Sequence, residues 1–240
     1  MNIVEDATFK KTIIEAIALR EFRERIGVHC SDLIYCLNKT AFRKWKPLPT
    51  DEQEVLIYSL GWATQRWLSG KLVDAPEQEV DGIIVTADVI LDIGAPWELK
   101  ATFQASTKSI EENVHWIRQM MAQCYVNKSL VAYLTRFEIM GNWKWVYHPS
   151  KPETIQKLVE EFGENWADHP TLHAYRLDFT QDELNQNWEW LKARRVQLLN
   201  ILESMTLLPR VAALASGQTW ECEFCRYRDS DCIKEEISGN

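Results

Sequence analysis

The stretch that most restricts what this chain can fold into is Ala87–Lys100, ADVILDIGAPWELK. Asp88 opens the apolar run Val89, Ile90, Leu91, and Trp97 opens a second run. Gly94, Ala95 and Pro96 between them are turn material. Side chains alternate along a strand, so Glu98 and Lys100 point to one side and Leu99 to the core. A hairpin then brings Asp88 beside that pair at one edge of a sheet. Two carboxylates offer hard oxygen ligands to Mg²⁺ or Mn²⁺ and leave water positions open. Such an ion polarises a phosphodiester and lowers the pKa of a bound water, and a nearby ammonium offsets developing negative charge. A surface hairpin with an ordinary Glu–Lys pair would carry the same letters, so the rest of the chain has to decide.

Around this stretch the periodicity alternates between helix and strand. Residues 7–26 carry apolar residues at helical spacing, with Gly27 as a stop. A second helix is expected over 29–45, opened by Ser31 and Asp32 and carrying Cys36. Thr50 with Gln53 makes a capping box for a helix through about Leu68. Residues 71–94 read as extended, 106–127 as a long helix, and 129–137 with 140–147 as a hairpin around Gly141. Helices follow at 151–168 and at 181–205, the second opened by Thr180 with Glu183. The expected fold is α/β, a central mixed β-sheet flanked by helices. At 240 residues it reads as one domain: an N-terminal helical part (about 1–70), a core (about 71–150), and C-terminal helices with a cysteine cluster (about 151–240).

Nothing in the chain reads as a membrane span or a signal peptide, so a cytoplasmic setting is expected. The formal net charge of −8 argues against a surface that binds nucleic acid everywhere. Local basic tracks are Lys39, Arg43, Lys44 and Lys46; Lys192, Arg194 and Arg195; and Arg226 with Arg228. Cys222, Cys225 and Cys232 form the most specific pattern: three cysteines in eleven residues around a Cys-x-x-Cys core. Thiolates so spaced chelate one centre, and Cys36 is the expected fourth ligand, with Cys30 its rival. Zinc and an iron–sulfur cluster want the same donors, and a Cys222–Cys225 disulfide is a further alternative. Cys30 and Cys124 otherwise read as buried thiols.

Asp88 followed after nine residues by Glu98-Leu99-Lys100 resembles the D…ExK core of the PD-(D/E)XK nucleases. SDLIYC with its basic tail, and a distant WxCxxC…C, resemble the RecB-like branch that carries an iron–sulfur cluster, and above all the CRISPR-associated RecB-family exonucleases. That resemblance covers roughly residues 29–232. It implies a restriction-endonuclease-like core and a [4Fe–4S] cluster on Cys36, Cys222, Cys225 and Cys232 that clamps the two ends of the chain. It implies Mg²⁺ or Mn²⁺ held by Asp88, Glu98 and the Leu99 carbonyl with a weaker contact from Gln65, Lys100 acting on the attacking water or the transition state, and Gln119 orienting substrate. The implied partners are single-stranded DNA with a free end and an integrase or helicase, in CRISPR adaptation or phage and plasmid recombination. The sequence leaves room for a homo-oligomer. Two positions depart from the family pattern. Gln65, four residues after Gly61, stands where members carry a metal-ligating His, and Gln123 stands where they carry a Tyr. Those departures motivate a rival, a DNA-end-binding or assembly subunit with a residual nuclease centre. A zinc-stabilised binding module is a third reading.

Overall fold

Alternating residues do build strands on both sides of Asp88, but they divide between two sheets. The computed structural model describes residues 4–22, 25–71, 75–102, 109–139, 151–164, 170–215, 219–228 and 232. A small hairpin joins β1 (Gln78–Val80) to β2 (Ile83–Val85). Its two-residue turn is Asp81-Gly82, both at positive φ, the conformation that suits the twist of a tight hairpin. The main sheet runs β3 (Val89–Ile90), β4 (Pro96–Thr102), β5 (Val131–Glu138), β6 (Thr171–Asp178) in that spatial order. β3 is antiparallel to β4, β4 parallel to β5, and β5 antiparallel to β6, so the sheet is mixed. The parallel step needs a crossover, supplied by α5 (Val114–Asn127).

The remaining helices are α1 (Ala7–Glu21), α2 (Cys30–Ile34), α3 (Leu37–Trp45), α4 (Glu52–Ser69), α6 (Pro152–Phe162), α7 (Gln181–Ser204) and the short α8 (Arg210–Ala213). The alternation of β5 assigns its faces. Ala132 and Leu134 pack with Met120 and Cys124 of α5, while Phe137 meets Trp67 of α4 on the other side. Glu98 and Lys100 stand in register with Leu134 and Arg136, which turns both charged side chains toward α5. Helices therefore flank a central mixed sheet. Leu33, Ile34 and Leu37 share one buried cluster with Ile83 and Val85 of β2 and with Trp188, Leu191 and Leu198 of α7. Residues from all three parts of the chain thus form one core. No helix among the described residues is long and apolar enough to cross a membrane.

Several boundaries differ from the sequence reading. The helix expected over 29–45 is broken: Tyr35 is extended (φ −109°, ψ −171°) and Cys36 is the N-cap of α3 rather than a residue within a helix. Its start lies at His29, whose N–H donates to Asp32 at 2.9 Å, not at Ser31. The capping box of α4 is Asp51 with Glu54, one residue later than Thr50 with Gln53. The first helix ends at Glu21, short of Gly27, because Phe22 leaves it to pack edge-on to Tyr58 and Trp62 of α4. The helix before Asn127 begins only at Val114. α6 stops at Gly163 (φ 85°), not at His169-Pro170. β6 was not foreseen, although Thr171–Asp178 alternates; it is the antiparallel partner of β5. The proposed partner strand at 140–147 lies outside the described residues.

Candidate active site and thiol site

The turn before β4 places Asp88 where its Oδ2 accepts from the Leu99 N–H at 2.6 Å. That bond fixes the first carboxylate against the strand that carries the second. Glu98 is 2% exposed, and each of its oxygens is held. Oε1 accepts from Lys100 Nζ at 2.5 Å and from Gln119 Nε2 at 2.8 Å, and Oε2 accepts from Gln123 Nε2 at 2.6 Å. Lys100 also donates to Gln119 Oε1 at 3.2 Å. Burial by itself would pull the Lys100 pKa down. The Glu98 and Asp88 carboxylates outweigh it and hold the pKa above the ordinary lysine value. Lys100 is a fixed positive charge here.

Asp88, Glu98, Lys100 and Gln119 therefore meet as one cluster. Leu99 is buried between its two neighbours, with its N–H committed to Asp88. Gln65 is half-buried on α4, and no hydrogen bond links it to the carboxylates or to Lys100 among the described residues. Two carboxylates bonded across one backbone amide fit a hard divalent cation. A cation would compete with three side-chain donors for Glu98, whose two oxygens offer about four acceptor places.

Residues the motif reading undervalued or missed surround this cluster. Gln123 is fully buried and grips Glu98, and spacing by four already put it on the Gln119 face of α5. His115, one turn earlier, meets the rings of Tyr35 (centroids 5.5 Å apart) and Trp220 (5.7 Å). Tyr35 lies within the electrostatic reach of Lys100 and Glu98, and burial raises its pKa. No sequence signal announced Tyr35, because it depends on the break between α2 and α3.

The residue after Tyr35 belongs to a second site. Cys36, Cys222, Cys225 and Cys232 line one cavity of about 30 Å³, and none of them is in a disulfide. The break thus puts consecutive residues at two sites. Cys30 and Cys124 lie in the two main apolar clusters instead, and burial raises both thiols to about 12. Burial raises Cys36 to about 11. Arg210 Nε donates to Cys222 Sγ at 3.3 Å. Glu221, also in the lining, accepts from the Cys36 N–H at 3.0 Å while its other oxygen is buried without a hydrogen bond. Four free thiols around one cavity are a donor set that fits zinc or an iron–sulfur cluster. Among the described residues, no three Cys, His, Asp or Glu side chains are gathered closely enough to hold a metal as they stand.

Protein contacts also join the chain ends here. Asn38 and Leu208 exchange two hydrogen bonds (2.8 and 3.1 Å), and Tyr227 Oη donates to the Lys46 carbonyl at 3.0 Å. Arg194 is 5% exposed and donates to the Leu33, Tyr35 and Ala213 carbonyls, so it is a clamp rather than part of a basic surface. Arg195 donates to the Gly82 carbonyl, Lys192 pairs with Glu189, and Arg226 pairs with Glu54. Most of the basic candidates are thus engaged within the fold.

No protein-family model matches the chain, and no curated protein matches it. Among solved structures, it is similar to the protein SSO0001 at a TM-score of 0.52 and 15% identity, over 92% of this chain and 95% of that one. It is also similar to a phage-related exonuclease from Haemophilus somnus 129PT (TM-score 0.47, 10% identity, 76% of this chain and 97% of that one). An alkaline exonuclease, LHK-Exo from Laribacter hongkongensis, gives 0.42 at 10% identity over 75% and 91%. The first likeness is one of fold alone.

Proposed function

We propose that this chain is a metal-dependent deoxyribonuclease, an exonuclease that hydrolyses phosphodiester bonds in single-stranded DNA from a free end. The observation that carries the reading is the buried Glu98–Lys100–Gln119 cluster with Asp88 bonded to the amide between Glu98 and Lys100. Asp88, Glu98 and the Leu99 carbonyl would hold Mg²⁺ or Mn²⁺, which when bound polarises the phosphodiester and acidifies water. Lys100 holds positive charge where the phosphorane-like transition state gains negative charge. Gln119, bonded to both Glu98 and Lys100, keeps the two in one orientation and faces the substrate.

The thiol cavity would take a [4Fe–4S] cluster on Cys36, Cys222, Cys225 and Cys232, with zinc as the other occupant of such a donor set. Metal analysis of protein purified without air separates them: four irons and sulfide per chain, or one zinc. The biological setting we infer is a cytoplasmic one, CRISPR adaptation or phage and plasmid recombination, with an integrase or helicase as partner. A DNA-end-binding subunit is the second reading. It is favoured by the crowding of Glu98 with three donors.

The test is cleavage of end-labelled single-stranded DNA by anaerobically purified protein in Mg²⁺ or Mn²⁺, with Lys100→Ala as control. Metal-dependent cleavage that disappears in the variant is expected. No cleavage from folded, cluster-loaded protein under either ion overturns the enzyme reading and leaves the end-binding subunit.

A further inference from the structure

Gln123 is the one fully buried polar side chain of the active site, and its bonds run to both segments that carry a carboxylate. Its Nε2 donates to Glu98 Oε2 at 2.6 Å and to the Thr86 carbonyl at 3.0 Å, two residues before Asp88. Among uncharged side chains only a primary amide has two hydrogens on one nitrogen. A hydroxyl could serve one of these acceptors but not both. The helix that presents Gln123 is itself fixed. Asn127 Nδ2 donates to the Gln123 carbonyl at 2.8 Å and Asn127 Oδ1 accepts from Gln78 Nε2 at 2.6 Å, which ties α5 to the β1–β2 hairpin. Ala122 and Cys124 on either side are completely buried, so α5 cannot roll to withdraw the amide.

We propose that Gln123 is a positioning residue: it sets the separation of the Asp88 and Glu98 segments and the orientation of Glu98 for a divalent cation. The proposal rests on the nuclease reading above. Gln119 constrains Glu98 Oε1 from one turn of α5, and Gln123 constrains Oε2 from the next. The carboxylate plane is therefore held from α5 at both oxygens, with Lys100 of its own strand adding a third donor at Oε1. Partners that orient a metal's ligands typically alter metal affinity by about 10–100-fold when removed.

The test compares wild type with Gln123→Met, which keeps the length and lacks the donors, and Gln123→Asn, which keeps an amide on a shorter stem. Free Mn²⁺ is titrated by electron paramagnetic resonance, and single-stranded DNA binding is measured without divalent cation. The expected result is a Mn²⁺ Kd raised about 10-fold or more in Gln123→Met and less in Gln123→Asn, with metal-free DNA binding unchanged in both. A folded variant that binds Mn²⁺ as tightly as wild type overturns the proposal. So does equal loss of Mn²⁺ and metal-free DNA binding, which marks a purely structural role. Failure of wild type itself to bind Mn²⁺ removes the nuclease reading, a result distinct from an unaltered variant.

Discussion

Replacing Arg194 by Met is the perturbation that most directly probes how the two ends of the chain are joined. The guanidinium is 5% exposed and gives three hydrogen bonds to backbone carbonyls: Leu33 at 2.5 Å, Tyr35 at 2.6 Å and Ala213 at 3.0 Å. Hydrogen bonds from a charged donor are worth about 1.5–3 kcal/mol each. Opposing them is the cost of burying the cation, which pulls its pKa down to about 10. That displacement from 12.5 corresponds to about 3 kcal/mol. Methionine recovers the burial cost and the packing of the stem, but it strands three carbonyls. The net loss is about 3 kcal/mol, or about 6–12 °C in Tm for a chain of this size. Urea and thermal unfolding followed by tryptophan fluorescence measure it. Arg194→Lys is the comparison. An ammonium keeps the charge but lacks the planar fork that spans three acceptors, so it should recover less than half of the loss. A Tm for Arg194→Met within 2 °C of wild type would refute the clamp, the threshold being roughly the shift that 1 kcal/mol produces.

Two further outcomes follow from the same geometry. Gly82→Ala should lower stability by about 1–2 kcal/mol in urea unfolding, because φ is +71° there and a Cβ would collide with the Arg195 guanidinium; an unchanged midpoint would contradict it. Arg66 donates to both oxygens of Glu21 (3.0 Å each) and holds its pKa below the ordinary carboxylate value. The folded pKa is depressed, so the pair's stabilisation is present above the unfolded value of 4.5 and disappears as pH falls through the lower folded one. Limited proteolysis at falling pH should therefore cut α1 first in wild type, and Arg66→Met should weaken that pH dependence, with Arg20 remaining as the second partner of Glu21.

The carboxylate pair, the lysine and the α5 glutamine were legible because each depends on short-range spacing: alternation along β4 and fours along α5. The thiol set was legible for the same reason at its Cys-x-x-Cys end, and the placement of Cys36 against it follows a family pattern. Tyr35 and the break at Cys36 were not legible. Leu33, Ile34, Leu37 and Phe42 carry one continuous helical stripe, and the interruption is held by Arg194 and Glu221, more than 150 residues away. β6 escaped because its apolar residues, Leu172, Ala174, Tyr175 and Leu177, are divided between both faces of the strand. Arg194 read as surface charge because composition cannot reveal that three distant carbonyls converge on one position.

The packing of residues 28–46 against α7 and the segment through Tyr227 has a consequence for synthesis. Cys36 meets Glu221 across 185 residues and Tyr227 meets Lys46 across 181. On a ribosome that region precedes α7, and Leu33, Ile34 and Leu37 can meet Ile83 and Val85 of β2 but not Trp188, Leu191 and Leu198 until α7 has followed. The loop that must close spans 185 of the 240 residues, which slows folding. Until then these side chains offer an apolar surface to whatever is nearby. A chain stalled or cut before Trp188 would expose them permanently, so incomplete products should partition to chaperones and proteases rather than accumulate.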